Sequence, residues 1–391
     1  MKKTLSLLTL FALFAGFFFG KLFPEAAAAT SFLGSVYITF LRYMITPVIF
    51  SSIAVSVCQS GDLKDHVTRR AVGLFAVMFT ATFLLSSLLV FLLFPGEGLF
   101  GIFFPDMIYN GNILHFDIGE VLYNLLPDGL LSFFAGRNLF FVILLSFLAG
   151  YLLRLSKSGK PLQYLLRFRD FLYKILEIVM GYTPVAVFSL MAVFALVDGE
   201  LFSVGVRYIL SAYFIGIIAL VVVMVLPVWF FCGVKPLDYV KKIYKVWLLT
   251  LSTCSSAATL PYTLSLCKED LGIDEKITDV VVPLGSTIHM CGGAVAFSLL
   301  SIFCAKMNGI EITLPMYLLM TVSALLINMA APGIPGGGVV VGASYLQLLG
   351  IPLGFIGFYS GIYKVLDMLY TSLNVTGDIS ADMILAKGKK S

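Results

Sequence analysis

Apolar residues run in long blocks along this chain, with the polar residues gathered between them. The blocks cover roughly 5–23, 31–57, 71–94, 130–153, 171–196, 206–232, 246–266, 280–305, 314–349 and 353–385. A helix crosses the hydrocarbon core of a bilayer with about 20 such residues. The pattern therefore predicts an all-α polytopic membrane protein. Two blocks do not read as straight spans. The first carries Ser252-Thr253-Cys254-Ser255-Ser256-Ala257-Ala258-Thr259-Leu260-Pro261 at its centre, with Lys245 and Lys268 flanking it on one basic side. The second reads Ala331-Pro332-Gly333-Ile334-Pro335-Gly336-Gly337-Gly338, two prolines and four glycines in eight residues. Such a run breaks any helix. Irregular backbone at membrane depth is tolerated only where protein buries it or where it lines a cavity. Both blocks are therefore predicted to be re-entrant hairpins, and paired broken segments point to a transport site.

Composition agrees with this pattern. The chain is 59% hydrophobic and 12% charged, with a mean hydropathy of +0.99. A soluble domain carries about 25% charged residues, so lipid must solvate much of this surface. The net charge of +4 gives no reason to expect a nucleic-acid partner. Six scattered cysteines without a CxxC pair argue against a metal or disulfide framework. Lys2, Lys3, the first apolar block and Ala26–Ala29 share features with a cleavable leader, but Lys21 and Phe23-Pro24 interrupt it. The first block is read as a retained helix. Lysine and arginine collect in alternate loops, and the rule that such loops stay inside places both termini in the cytoplasm of a cell inner or plasma membrane.

The last block carries the sharpest chemistry. Asp367, Tyr370, Thr371, Asn374 and Asp378 fall at offsets 0, 3, 4, 7 and 11, one stripe of a helix. An aspartate at the centre of a membrane helix costs about 2.5–3.5 kcal/mol on insertion scales, so it faces a partner or a cavity. A cation or an ammonium group suits two such carboxylates. The alternative is a structural polar stripe with Lys364 neutralising Asp367. Pro283-Leu284-Gly285-Ser286-Thr287-Ile288-His289-Met290-Cys291-Gly292-Gly293 interrupts another span and exposes carbonyl oxygens suited to an alkali ion. His289 is either a satisfied core histidine or a titrating group. An intramembrane enzyme built on Cys254 or Ser256 with His289 has neither a GxSxG nor an HExxH motif behind it, so the chain is read as a carrier and not an enzyme.

These motifs, in this order, resemble the dicarboxylate/amino acid:cation symporters, also called the glutamate transporter family. Residues 253–261 resemble that family's first hairpin tip, 283–293 its unwound seventh helix and 333–338 its second hairpin tip. Asn374-Val375-Thr376-Gly377-Asp378 is its eighth-helix signature, and Thr46-Pro47-Val48-Ile49-Phe50 and Pro95-Gly96 also fit. The resemblance implies inverted repeats, eight transmembrane helices plus two re-entrant hairpins, a homotrimer and an elevator mechanism gated by the second hairpin. Residues 1–70, 95–170 and 171–200 would be scaffold, and 71–94, 201–240 and 241–391 the transport domain. Asp367 would hold a substrate ammonium, and Thr371 and Asn374 its backbone groups. Ser255 and Ser256 would meet its carboxylate, with Met290, Ile334, Gly338 and Tyr370 completing the pocket. Sodium would sit on Asp378 with the carbonyls of Gly285, His289 and Asn374, and again near Thr287, Asn328, Met329 and Ala331. A proton is the other candidate coupling ion, and no organic cofactor is implied.

The sequence departs from the family at three places. The family's Asn-Met-Asp-Gly-Thr reads His289-Met290-Cys291-Gly292-Gly293, so a carboxylate of a third sodium site is lost and a substrate-touching threonine is glycine. Tyr370 stands where an arginine clamps a side-chain carboxylate, and the alternative arginine position is Cys254. No arginine follows Arg207. The expectation is therefore a symporter of a small amino acid or dicarboxylate that favours a neutral amino acid over an acidic one. The alternatives are an acidic-substrate symporter using Lys364 as the clamp, and an uncoupled ion-conducting relative.

Overall fold

The computed structural model describes residues 2–59, 66–93, 139–155, 160–196, 200–329 and 337–387. Regular structure among the described residues is helical throughout. The elements are α1 (Lys2–Leu22), α2 (Pro24–Ala29), α3 (Ser31–Gln59), α4 (His66–Leu93), α5 (Leu139–Leu155), α6 (Lys160–Gly181), α7 (Thr183–Phe194) and α8 (Glu200–Ala219). A π-helical stretch, Leu220–Val225, leads into α9 (Leu226–Cys232). Then come α10 (Pro236–Thr253), α11 (Ser256–Ser265), α12 (Glu275–Ile288), α13 (Cys291–Met307), α14 (Leu314–Asn328), α15 (Gly337–Leu348) and α16 (Ile356–Lys387). Three described stretches are long and apolar enough to cross a membrane: His66–Leu93, Val206–Cys232 and Glu275–Met307.

The described parts of the apolar blocks are helical, with one division that the pattern did not show. Block 171–196 is split between α6 and α7 at Tyr182. Pro184 lies in the first turn of α7, where its missing N–H leaves no bond unmade, whereas inside a continuous helix it would break one. The helix therefore restarts there.

Small residues set the closest packing, as in membrane helices where van der Waals contact drives association. Gly16 and Gly20 of α1 press on the backbone of α7 at Phe188 and Ala192, and Gly150 of α5 presses on α3 at Ala54. The Ser189 hydroxyl of α7 donates to the Thr30 carbonyl at 2.6 Å and accepts from the Gly34 amide at 3.2 Å. Large apolar side chains on the outer helices, such as Phe11, Ile178 and Phe230, are exposed and suit a lipid surface. In contrast, α13 is buried along its length except at Gly293 and Lys306. It and α16 form the axis around which α4, α8, α12 and α15 pack.

Candidate functional site

The site is assembled where two chain breaks meet α16. The first break is the hairpin tip between α10 and α11. Cys254 takes a left-handed backbone conformation (φ 48°, ψ 45°), which turns the chain. Ser255 then caps α11, its Oγ accepting from the Ala258 amide at 3.2 Å. Residues of the first helical turn have amides without partners in the helix, and these attract carboxylates. The arm before the tip is tied to α16 by Thr250 Oγ1 and Ser372 Oγ at 2.7 Å, and by Trp247 Nε1 donating to Thr376 Oγ1 at 2.8 Å.

The second break divides α12 from α13. His289 and Met290 are extended (φ −106°, ψ 98° and φ −124°, ψ 75°). The break is fixed from two sides. The Asn374 side-chain oxygen accepts the Gly292 amide at 2.7 Å, and the Asn328 amide donates to the Met290 carbonyl at 3.3 Å. Here glycine is required by close approach. A Cβ on Gly292 would enter the Tyr370 backbone, and one on Gly293 would enter the Asn328 side chain.

The predicted stripe is a single face of α16. Tyr370, Thr371, Asn374 and Asp378 are buried, and Asp367 is half-buried. Asp367 Oδ1 accepts from Tyr363 and Thr371 hydroxyls, each at 3.2 Å. The Lys364 ammonium acts electrostatically on Asp367 and hydrogen-bonds the Cys254 thiol, which brings the hairpin tip to this end of the stripe. Lys364 makes no ion pair within 4.0 Å of a carboxylate among the described residues. The buried Tyr370 hydroxyl likewise has no hydrogen-bond partner among them. Gly338, at the start of α15, leaves the space that the Tyr363 hydroxyl occupies.

The far end of the stripe is closed. Asp378 Oδ1 lies 2.9 Å from His289 Nδ1, and His289 Nε2 lies 2.9 Å from Cys291 Sγ. Phe75 of α4 stacks on the imidazole with centroids 4.4 Å apart and planes 13° apart. One turn on, Asp382 Oδ2 accepts from Thr278 Oγ1 at 2.8 Å, and the Cys267 thiol lies against the same carboxylate.

Ser255, Met290, Gly338, Asp367, Tyr370, Thr371 and Asn374 thus lie on elements that converge, and Ser256 opens α11 beside Ser255. Ile334 and Ala331 lie outside the described residues. Of the residues expected near sodium, Gly285 and His289 do meet Asp378. An alkali ion takes a shell of oxygens, and the partner set against Asp378 Oδ1 here is an imidazole nitrogen. The Gly285 carbonyl already accepts the His289 amide at 2.8 Å. The imidazole Nδ1 lies 2.9 Å from the carboxylate, with the Phe75 ring stacked on the imidazole. In the second set, Thr287 Oγ1 donates back to the Leu284 carbonyl at 2.7 Å and the Asn328 amide faces Met290, with Met329 ending α14. Sequence reasoning missed Tyr363, Phe75 and Asp382. Tyr363 was within reach, since it precedes Asp367 by four residues and so extends the same stripe.

A helical bundle with lipid-facing aromatics, broken helices at its core and a charged stripe between them defines a membrane-embedded solute carrier. The chain matches the model of the sodium:dicarboxylate symporter family over residues 5–388 and belongs to that family. It is a family of transporters and not of enzymes. Among its relatives, a proton/glutamate-aspartate symporter of Bacillus subtilis (strain 168) is 25% identical over 408 residues, spanning 100% of this chain and 96% of that protein. A C4-dicarboxylate transport protein of Laribacter hongkongensis (strain HLHK9) is 25% identical over 397 residues, 98% of this chain and 89% of that protein. A proton/sodium-glutamate symport protein of Geobacillus stearothermophilus is 23% identical over 380 residues, 95% and 90%.

Proposed function

We propose that this protein is a cation-coupled symporter of an acidic amino acid, with Lys364 in place of the family's arginine clamp. One observation carries the reading. Asp367 and Lys364 share one pocket end without forming an ion pair, so a carboxylate and an ammonium are both left for a zwitterion with an extra acid group. The substrate ammonium sits on Asp367. Its α-carboxylate meets the first-turn amides of α11 beside Ser255 and Ser256. The second carboxylate is received by the Lys364 ammonium and the Tyr370 hydroxyl, which has no partner among the described residues. Asn374 fixes the break at Gly292 with its oxygen and has its Nδ2 donors left for substrate.

The preference for a neutral amino acid, expected from Tyr370, gains no support from the relatives, whose names specify glutamate, aspartate and C4-dicarboxylates. A C4-dicarboxylate would leave Asp367 facing a like charge, which favours the amino acid. Transport proceeds as an elevator in a homotrimer, the segment around Ile334 acting as gate, with both termini in the cytoplasm. The packing of α1, α3, α5, α6 and α7 on one another, and of α4, α8, α12, α13 and α15 around α16, supports two moving bodies.

Uptake of labelled aspartate into proteoliposomes tests this. Accumulation driven by an inward sodium or proton gradient, and abolished by an ionophore that dissipates that gradient, is expected. Equal uptake with and without every imposed gradient would overturn the coupling and favour an uncoupled pathway.

A further inference from the structure

Asp378 is the second carboxylate of the stripe, and its surroundings differ from those of a cation site. It is 1% exposed, and His289 beside it is also 1% exposed. One neutral tautomer satisfies both imidazole contacts: His289 Nδ1–H donates to Asp378 Oδ1, and Nε2 accepts the Cys291 S–H. Both contacts are 2.9 Å.

The fit is built from both helices. A Cβ on Gly285 of α12 would enter the Asp378 carboxylate. A Cβ on Gly377 of α16 would lie 2.7 Å from His289 Cε1. Two glycines thus clear room for an imidazole lying across a carboxylate. Phe75 covers the exposed ring face at 4.4 Å, and Thr82, also from α4, lies against the Cys291 sulfur. The carboxylate faces the imidazole N–H, with the Phe75 ring close by. Hard cations select oxygen, whereas the group set against Asp378 Oδ1 is a nitrogen, and the Gly285 carbonyl beside it already accepts the His289 amide.

We infer that the His289 imidazole occupies the place of a cation at Asp378, so that this carboxylate is satisfied by the chain and is not a sodium ligand. His289 is then a residue that determines ion specificity. Any sodium dependence of this carrier arises elsewhere, such as the carbonyls around Asn328. This inference does not depend on which substrate is carried.

Solid-state ¹⁵N spectra of the histidine-labelled full-length protein in lipid, without substrate, test it. The chain has three histidines, His66, His115 and His289. His66→Gln and His115→Gln assign the remaining signal to His289. On replacing choline chloride by sodium chloride at equal ionic strength, the His289 signals are expected to stay in place, with one nitrogen protonated and one not. A saturable shift of the His289 Nδ1 signal with sodium would show the ion displacing the imidazole from Asp378 and would overturn the inference. Thermal unfolding gives an independent reading, since an ion that binds the folded state raises its stability. Asp378→Asn is expected to leave any sodium-dependent shift of the unfolding temperature unchanged. A saturable sodium shift in the wild type that Asp378→Asn abolishes would overturn it as well.

Discussion

Asp367 and Asp378 stand about three turns apart on one face of α16, yet their environments are opposite. Asp367 is half-buried and accepts two hydroxyls at 3.2 Å, with a lysine nearby that does not pair with it. Asp378 is sealed, with an imidazole at 2.9 Å and an aromatic ring behind that. A charged group in an apolar interior must be compensated. At Asp378 the chain supplies a buried imidazole N–H that fills the partner's place. At Asp367 it provides only part of the compensation, and a ligand can supply the rest. The same residue type is thus structural at one end of the stripe and available for binding at the other.

Removing the open carboxylate gives the largest effect. Asp367→Asn leaves a desolvated substrate ammonium unpaired, a loss of about 2–5 kcal/mol. Aspartate affinity measured by calorimetry should fall about 30-fold or more, with the protein still inserted and folded. Unchanged affinity would assign Asp367 to packing and erase the contrast between the two ends.

Lys364→Met sharpens the contrast from the other side of the pocket. A hydrogen bond to a charged group contributes about 1.5–3 kcal/mol. Aspartate and glutamate binding should weaken about tenfold or more, while any weak binding of alanine stays as it was. Parallel losses for both would place Lys364 outside the substrate's second carboxylate.

The closed end is probed sterically. Gly377→Ala forces the His289 ring to move, and overpacking of this kind costs about 1–3 kcal/mol. Its unfolding temperature should drop. Gly73→Ala on α4, where a Cβ would meet nothing within 4 Å, is the matched control and should be neutral or slightly stabilising. If the two behave alike, the imidazole is not held as described. The smallest effect is expected at the hairpin. Ser255→Ala removes the cap of α11, worth about 0.5–2 kcal/mol, and should show as faster hydrogen exchange confined to the tip.

The sequence carried the stripe, both breaks and the residues that line them, because each depends on local spacing or on proline and glycine. Offsets of 3, 4, 7 and 11 from Asp367 place side chains on one face whatever packs against them. The pairing of His289 with Asp378 was not legible in that way. The two residues are 89 positions apart, and no periodicity links them. Gly377 was visible as part of a motif, but only the packed structure shows that its missing side chain makes room for an imidazole. Likewise Thr183-Pro184 was a helix-start signal inside an apolar block, and hydrophobicity alone overrode it. The role of Tyr370 was read from the loss of a guanidinium. The names of the relatives, which specify glutamate, aspartate and C4-dicarboxylates, turn that reading from neutral to acidic substrates.

Competition binding on the purified wild-type protein tests that reading most directly. Aspartate, glutamate, succinate and alanine are titrated against one bound labelled amino acid under fixed salt and pH. Aspartate or glutamate is expected to displace the label at the lowest concentration, succinate at a higher one, and alanine least well. Displacement by alanine at concentrations equal to or below those of aspartate would contradict it, and would mean that Lys364 and Tyr370 do not receive a second carboxylate.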